Sequence, residues 1–338
     1  MSKKQRVLTG ITTSGIPHIG NLAGAILPAI KASRDSSTES FLFLADYHSL
    51  IKNNDPQITH DSSFQIAACW LACGLNPKEV TFYRQSDVPH IMELAWVLSC
   101  LTSKGLMNRA HAYKSAVFKN ETKNKNDPDE GITMGLYNYP VLMSADILMF
   151  NADLVPVGQD QKQHIEMTRD IALRFNHRYG EIFNIPDISI DKEAGVLPGI
   201  DGRKMSKSYN NVIPIFLDKD NLRQIILKIK TDSKMPGEPK SINSSSVFDI
   251  YRAFASKEET KKLTDLYKQG IAWGEAKELL FELLESKINP LRKNYQELIK
   301  DKQILEKTLI SGAEKALDVS TPLINKIRKA VGIRGFTD

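Results

Sequence analysis

The chain has 338 residues, 41% of them apolar and 25% charged, with 45 basic against 40 acidic side chains and a formal net charge of +5. This is the composition of a soluble globular protein long enough for one large domain or two ordinary ones, which excludes a disordered or fibrous chain. No apolar run approaches the span of a membrane helix, and the segment Met1 to Arg6 leads into no signal-peptide core, so a cytoplasmic protein without a membrane partner is expected. The mild positive balance is compatible with a polyanion on one face but does not require one.

Residues 6–21 read Arg-Val-Leu-Thr-Gly-Ile-Thr-Thr-Ser-Gly-Ile-Pro-His-Ile-Gly-Asn. A short apolar strand runs into a Ser/Thr/Gly turn, and His18 to Asn21 opens an apolar helix. Free N–H groups and the positive end of the helix dipole then face whatever lies over the turn. Gly15 and Gly20 allow a ligand close to the backbone, so the element suits phosphate. The helix continues from Leu22 to Lys31, and Pro28 is expected to kink or shorten it. Residues 40–46, Ser-Phe-Leu-Phe-Leu-Ala-Asp, form the continuous apolar run of a parallel strand buried on both faces. Asp46-Tyr47-His48 then falls at its carboxyl edge, where open α/β sheets place their ligands. His48 is as consistent with a hydrogen-bonded structural histidine as with a ligand contact.

Asp55-Pro56 starts a helix running to Gly74, Val80 to Gln85 is a third strand, and Pro89 begins a helix through about Leu101. The β-α-β-α alternation predicts a Rossmann-like doubly wound parallel sheet. Cys69, Cys73 and Cys100 lie in apolar helical surroundings and read as buried free thiols; a metal site needs a fourth soft ligand at compact spacing, and none is visible. Residues 119–131 are nearly all polar and read as a mobile surface loop. Residues 139–150, Tyr-Pro-Val-Leu-Met-Ser-Ala-Asp-Ile-Leu-Met-Phe, form a helix with Pro140 in its first turn, apolar on nearly every side and therefore buried. Asp146 is the anomaly within it. A buried carboxylate must be satisfied by a cation, a backbone N–H or a ligand donor, and Met143 lies one turn earlier on the same face.

Leu154 to Val157 is a strand, and Gly158-Gln159-Asp160 turns into a helix from Gln161 to Phe175, with Asp160 and Gln163 at capping-box spacing. Gln161 and His164 share a face, placed either to reach a substrate's ammonium or ribose or to hydrogen-bond each other. Residues 195–208 then carry two ammonium groups, Lys204 and Lys207, on a loop that Gly195, Pro198, Gly199 and Gly202 keep from being helix or strand. Lysines on a movable loop suit a polyphosphate and can neutralise the charge that develops as pyrophosphate leaves. On composition alone the pair also reads as a solvated basic loop. Beyond Asn211 the texture changes to long amphipathic helices with a Pro/Gly/Ser linker from Ser233 to Ser246. The expected division is a catalytic domain over 1–211 and a helical domain over 212–338. On its last helix Lys315, Lys326, Arg328 and Lys329 form an RNA-facing stripe or an ordinary solvated face.

The segments His18 to Asn21 and Lys204 to Ser208 resemble the two signature boxes of class I aminoacyl-tRNA synthetases, His-Ile-Gly-His and Lys-Met-Ser-Lys-Ser. The second is matched letter for letter; the first has Asn21 for its final His. Residues 139–148 and 153–164 narrow the resemblance to the bacterial tryptophanyl-tRNA synthetases, and it extends over nearly the whole chain. That resemblance implies that Asp146 accepts the indole N–H, that Met143, Val155 and Val157 wall the ring with Leu8 and His48 at its border, and that Tyr139 and Gln161 sit near the amino-acid head. It implies that Thr12, Thr13, Ser14, Gly20, Asn21, Gly158, Gln159, Asp160, Val196, Lys204, Met205, Ser206, Lys207 and Ser208 line ATP, with His18, Lys204 and Lys207 as the catalytic groups and Lys114 reaching the phosphates. Thr12-Thr13 departs from the commonest Gln-Pro, Leu8 from an aromatic, and Gln159 from an acidic residue.

The physics agrees with the amino-acid assignment. Tryptophan's ring carries one polar group, a donor only, so an acceptor deep in an apolar slot reads it. Phenylalanine would leave that acceptor unpaired, and rejection of ~10⁴-fold needs no editing site. The resemblance further implies ATP with Mg²⁺ as substrate, tRNA(Trp) bound with the help of the helical domain's anticodon contacts, and a homodimer. No zinc or iron-sulfur cluster is expected, since all three cysteines precede residue 101. The rival readings are the tyrosine enzyme of the same fold, a small-molecule nucleotidylyltransferase sharing the first box, and a tRNA-binding regulator without activation.

Overall fold

The computed structural model describes residues 4–13, 15, 17–189 and 197–337, without the side chain of Asp160; the expectations for Ser14 and Val196 lie outside the described residues. Five strands, β1 (Gln5–Thr12), β2 (Thr38–Ala45), β3 (Thr81–Arg84), β4 (Leu154–Pro156) and β5 (Asp187–Ser189), form one parallel sheet in the order β3-β2-β1-β4-β5. Strand β2 is buried continuously from Ser40 to Ala45, as its unbroken apolar run requires when helices cover both faces of a sheet. The three-residue β5 has no counterpart in the sequence reading, because so short a strand carries no period.

The helix after β1 comes in three pieces: α1 (Ile19–Asn21), a wide π turn over Leu22–Ile26, and α2 (Leu27–Ser33) with Pro28 in its first turn. The proline's missing N–H is thus taken up at a segment boundary. Next come α3 (Asp46–Ser49) and α4 (Pro56–Ala72), which Asp55 caps by accepting from the N–H groups of Gln57 and Ile58. Between β3 and β4 lie α5 (His90–Ser99), α6 (Lys104–Met107), α7 (His111–Thr122) and α8 (Met134–Leu148).

Several expectations change here. Helix α8 starts at Thr133, whose hydroxyl accepts from Leu136 N–H, so Pro140 sits inside the helix rather than in its first turn. Residues 123–131 are organised by buried Asn120, which donates to the carbonyls of Pro128 and Glu130. Cys69 and Cys73 are buried, but Cys100 is exposed. Helix α9 (Lys162–Tyr179) follows a 3₁₀ turn over Gln159–Gln161, and the Asp160 side chain expected to cap it lies outside the described residues. Gln163 instead accepts from His111 N–H and donates to the Arg109 carbonyl.

The remainder is helical: α10 (Lys219–Leu227), α11 (Ser246–Phe254), α12 (Lys257–Gln269), α13 (Trp273–Leu298) and α14 (Lys302–Val331). These do not stand apart from the sheet. Leu222, Leu284 and Leu309 share one apolar core with Ile11, Leu44 and Phe82. Helix α14 crosses edge strand β3 so closely that a Cβ at Gly312 would overlap the Phe82 carbonyl. Polar ties fix the crossing at both ends. Arg84 pairs with Glu306, and Arg328 forms a bidentate pair with Glu93 on α5 at 2.7 and 2.5 Å. Lys315 donates to the carbonyls of Pro77 and Val80, so Lys315 and Arg328, two of the four basic residues singled out near the end of the chain, serve the helix's docking.

Candidate functional site

Because all five strands are parallel, β1, β2, β3 and β4 end at the same edge, and the residues that follow each one converge there. After β1 comes the turn through Gly15 to His18, after β2 comes α3, after β3 the 3₁₀ turn Gln85–Asp87, and after β4 the segment Val157 to Gln161. Two unlike ends result.

At one end the first signature segment is zipped to the short stretch that follows the second. Ile19 N–H donates to the Ile213 carbonyl at 2.9 Å, Ile215 N–H donates to the Pro17 carbonyl at 3.3 Å, and His18 bridges Pro214. The lysine loop is a small hairpin: Pro198 bridges Lys204, Gly199 N–H donates to Arg203, Met205 N–H donates to Leu197, and Gly202 turns it with φ +87. Buried Asn211 holds its interior. Its amide donates to Asp201 at 2.7 Å and to the Lys204 carbonyl at 3.1 Å, while its oxygen accepts from Ser206 N–H at 2.8 Å. A Cβ at Gly199 would overlap this side chain. Asn211 drew no attention in the sequence; an Asn close behind a Gly-rich basic loop is too common a pattern to mark.

Met205 is buried with its sulfur facing Gly20, while Lys204, Lys207 and Ser208 are exposed. The Lys207 ammonium lies over the first turn, 3.5 Å from where a Gly15 side chain would begin, and partial burial there lowers its pKa. His18 and Asn21 cap each other: Asn21 N–H donates to His18 Nδ1, and Asn21 Oδ1 accepts from His18 N–H. The His18 pKa is pushed down to about 4, first by burial and then by the nearby Lys207 charge. Its imidazole is therefore neutral at pH 7, with Nδ1 used as an acceptor and the proton on Nε2. Positive charge at this end comes from Lys204 and Lys207; His18 offers a neutral donor. Gly158 and Gln159 are exposed at the same strand edge, Thr12 is exposed, and Thr13 is buried with its hydroxyl toward the Ala45 carbonyl. Lys114 is exposed on α7.

The other end is enclosed. Asp146 on α8 is 1% exposed, and each carboxylate oxygen has its own protein partner. His48 Nε2 lies 2.9 Å from Oδ2, and the Gln85 amide donates to Oδ1 at 2.7 Å. Burial raises the Asp146 pKa, and the hydrogen bonds from His48 and Gln85 oppose the rise. Beside it, the Tyr139 hydroxyl is 2.6 Å from His164 Nε2, and His164 Nδ1 is 2.7 Å from Gln161 Oε1. For a neutral imidazole this fixes the direction: Tyr139 donates to Nε2 and Nδ1–H donates to Gln161, leaving lone pairs on the Tyr139 oxygen for an incoming cation. Leu8 and Val155 are buried in one apolar cluster, with Met143 and Val157 packed against it. Gln85 was not singled out in the sequence, and Asp46 was only placed with Tyr47 and His48 at the carboxyl edge of its strand. Asp46 accepts from the Ser86 N–H and hydroxyl, which ties α3 to the turn that carries Gln85.

The site is thus a paired basic loop and glycine turn beside a buried acceptor in an apolar wall. Among the described residues no three His, Cys, Asp or Glu side chains are grouped to hold a metal, and no helix is long and apolar enough to cross a membrane. The profile of the family described as tRNA synthetases class I (W and Y) matches residues 1–288. The chain is 54% identical over 334 residues to the tryptophan–tRNA ligase of Neisseria meningitidis, covering 99% of each chain. It is 54% identical to that of Pseudomonas aeruginosa over 98% of this chain and 75% of that one. Among solved structures it is similar to the tryptophanyl-tRNA synthetase of Campylobacter jejuni complexed with ADP and tryptophan, at 39% identity and a TM-score of 0.87 over 97% of this chain and 100% of that one. By sequence over its full length and by fold, the chain belongs to the class I tRNA synthetases for tryptophan and tyrosine and, within them, to the bacterial tryptophan–tRNA ligases.

Proposed function

We propose that this ligase works in two steps, with its two ends dividing the labour of the first. The tryptophan carboxylate attacks the α-phosphorus of Mg–ATP in line, pyrophosphate leaves, and the terminal ribose of tRNA(Trp) then takes the acyl group from the adenylate. Little covalent chemistry falls to the protein, so positioning and charge neutralisation carry the rate. Lys204 and Lys207 take up charge on the departing pyrophosphate, the His18 Nε2–H donates to a phosphate oxygen, and the turn at Gly15 and Gly20 admits the phosphates against the backbone. The exposed Gly158, Gln159 and Thr12 line the nucleotide, together with Thr13, Ser14, Asn21, Asp160, Val196, Met205, Ser206 and Ser208.

Asp146 accepts the indole N–H, Leu8, Met143, Val155 and Val157 wall the ring, and Tyr139 with Gln161 faces the ammonium. The observation that carries this reading is the carboxylate of Asp146, fully buried, with His48 Nε2 on one oxygen and the Gln85 amide on the other and no Lys or Arg paired to it among the described residues. Such a group reads a ring donor and rejects a ring without one. Residues 212–338 supply the anticodon contacts. A homodimer is part of the same proposal, supported by α5, which presents Trp96 at 71% and Met92 at 41% exposure. The setting is the cytoplasm.

Amino-acid-dependent pyrophosphate exchange tests the assignment. Tryptophan is expected to support it with kcat/KM at least ~10⁴-fold above tyrosine and phenylalanine; comparable rates with tyrosine would refute the role of Asp146.

A further inference from the structure

Gln85 immediately follows β3, where alternation sends Tyr83 and Gln85 to one face of the strand and Phe82 and Arg84 to the other. Both neighbours of Gln85 in the chain are anchored. Arg84 is held by Asp87 and Glu306, and Ser86 binds the Asp46 carboxylate through its N–H and its hydroxyl. With both flanks fixed, the Gln85 side chain has one course, inward, and it is 0% exposed. Its amide nitrogen donates to Asp146 Oδ1, while its oxygen is buried with no protein partner among the described residues. A buried amide that leaves its own oxygen unpaired to reach a carboxylate is costly to keep unless the carboxylate needs it.

We propose that Gln85 is a positioning residue for amino-acid selection: with His48 it fixes the Asp146 carboxylate and keeps it an acceptor, so that the group reads a ring N–H. The inference rests on the reading of Asp146 as the indole acceptor. The chemistry is a matter of polarity. An ionised carboxylate only accepts, whereas a protonated one donates and would greet tryptophan's N–H with an O–H. Burial pushes toward the protonated form, and the two donors push back. The other groups that bear on it are few. From α3 come His48 and Asp46, and from β3 comes Tyr83, whose buried hydroxyl also lacks a protein partner among the described residues. On α8 itself Tyr139 is committed to His164 of α9, and on α5 His90 and Glu93 are committed to Ser320 and Arg328. No Lys or Arg forms an ion pair with Asp146 among the described residues, so removing one amide donor changes the balance.

The test is tryptophan-dependent pyrophosphate exchange by the full chain across pH, with the thermal midpoint and the ATP KM as controls. Gln85→Met keeps the length and removes the donor. It is expected to raise the tryptophan KM at pH 7 by ~10-fold or more and to move the acid limb of kcat/KM for tryptophan to higher pH by about one unit, at unchanged ATP KM. Gln85→Asn, with its amide drawn back by one methylene, shifts the limb in the same direction by less and guards against failure of the first variant to fold. A limb in the wild-type position in both variants, or a loss shared equally by tryptophan KM, ATP KM and thermal midpoint, overturns the proposal. Asp146→Leu separates the two levels. If it leaves the tryptophan KM unchanged, the indole-acceptor reading falls and this one with it; if it raises the KM while the Gln85 variants do not, only the role of Gln85 falls.

Discussion

The two ends of the site solve opposite problems. At the proposed phosphate end the two lysines are exposed, His18 is half-buried, and the backbone that carries them is tightly framed: a hairpin locked by Asn211, with residues 213–215 zipped to the first turn. At the amino-acid end the functional carboxylate is fully buried, and side chains rather than backbone hold it. Exposed lysines keep their charge cheaply and let a hydrated polyanion enter. A buried acceptor trades that ease for discrimination, because a mismatched ring leaves it unpaired. Charge is on offer where the ligand is always charged, and desolvation is used where ligands must be told apart.

This contrast makes the two ends separable. Asp146→Leu should lower kcat/KM for tryptophan by ~10³-fold or more while the ATP KM holds, since a missing acceptor faces a buried N–H. Lys207→Ala should slow adenylate formation by ~10²- to 10³-fold with tryptophan affinity nearly intact; equilibrium binding and single-turnover adenylate formation measure the two terms. Equal losses of both terms in either variant would mean that the ends are one unit. Asn211→Ala sharpens the point about framing. Its side chain is buried inside the hairpin, yet the change should slow adenylate formation about 10-fold through a loosened loop, again with tryptophan binding unchanged.

The smallest effect is on pH dependence at the phosphate end. His18 binds its proton near pH 4 in the folded chain against 6.5 in the ordinary group, so the unfolded chain takes up the proton first as pH falls. The stability this represents is present above pH 6.5 and is lost progressively toward pH 4. The thermal midpoint of His18→Gln should therefore fall less than that of the wild type over that window; parallel curves would show that His18 does not titrate as described.

What the sequence disclosed follows the same divide. The strands β2 and β3 were legible from apolar runs, and the start of α4 from Asp55-Pro56, because those signals are local. The burial of Asp146 was legible too, since a helix apolar on nearly every side has nowhere exposed to put it. Its partners were not: His48 and Gln85 reach it across 98 and 61 residues of chain. Gln163 illustrates the converse. Its spacing from Asp160 satisfies a local capping rule, but His111 and Arg109, brought alongside by the fold, claim the side chain instead. Gln161 and His164 had two readings from spacing, and they do hydrogen-bond each other, with Tyr139 joining from another helix.

Contact between Gly312 and the backbone of Phe82 has a bearing on synthesis. The ribosome releases β3 long before α14, so the flank of the sheet that α14 covers stays bare until α14 has emerged. A nascent chain can assemble its first glycine turn long before it can seat the residue beside Asp146. On the proposed reading of Asp146, the order of translation postpones amino-acid selection until α14 has docked, and an arrested fragment ending before Lys302 would show a sticky open edge and no tryptophan binding.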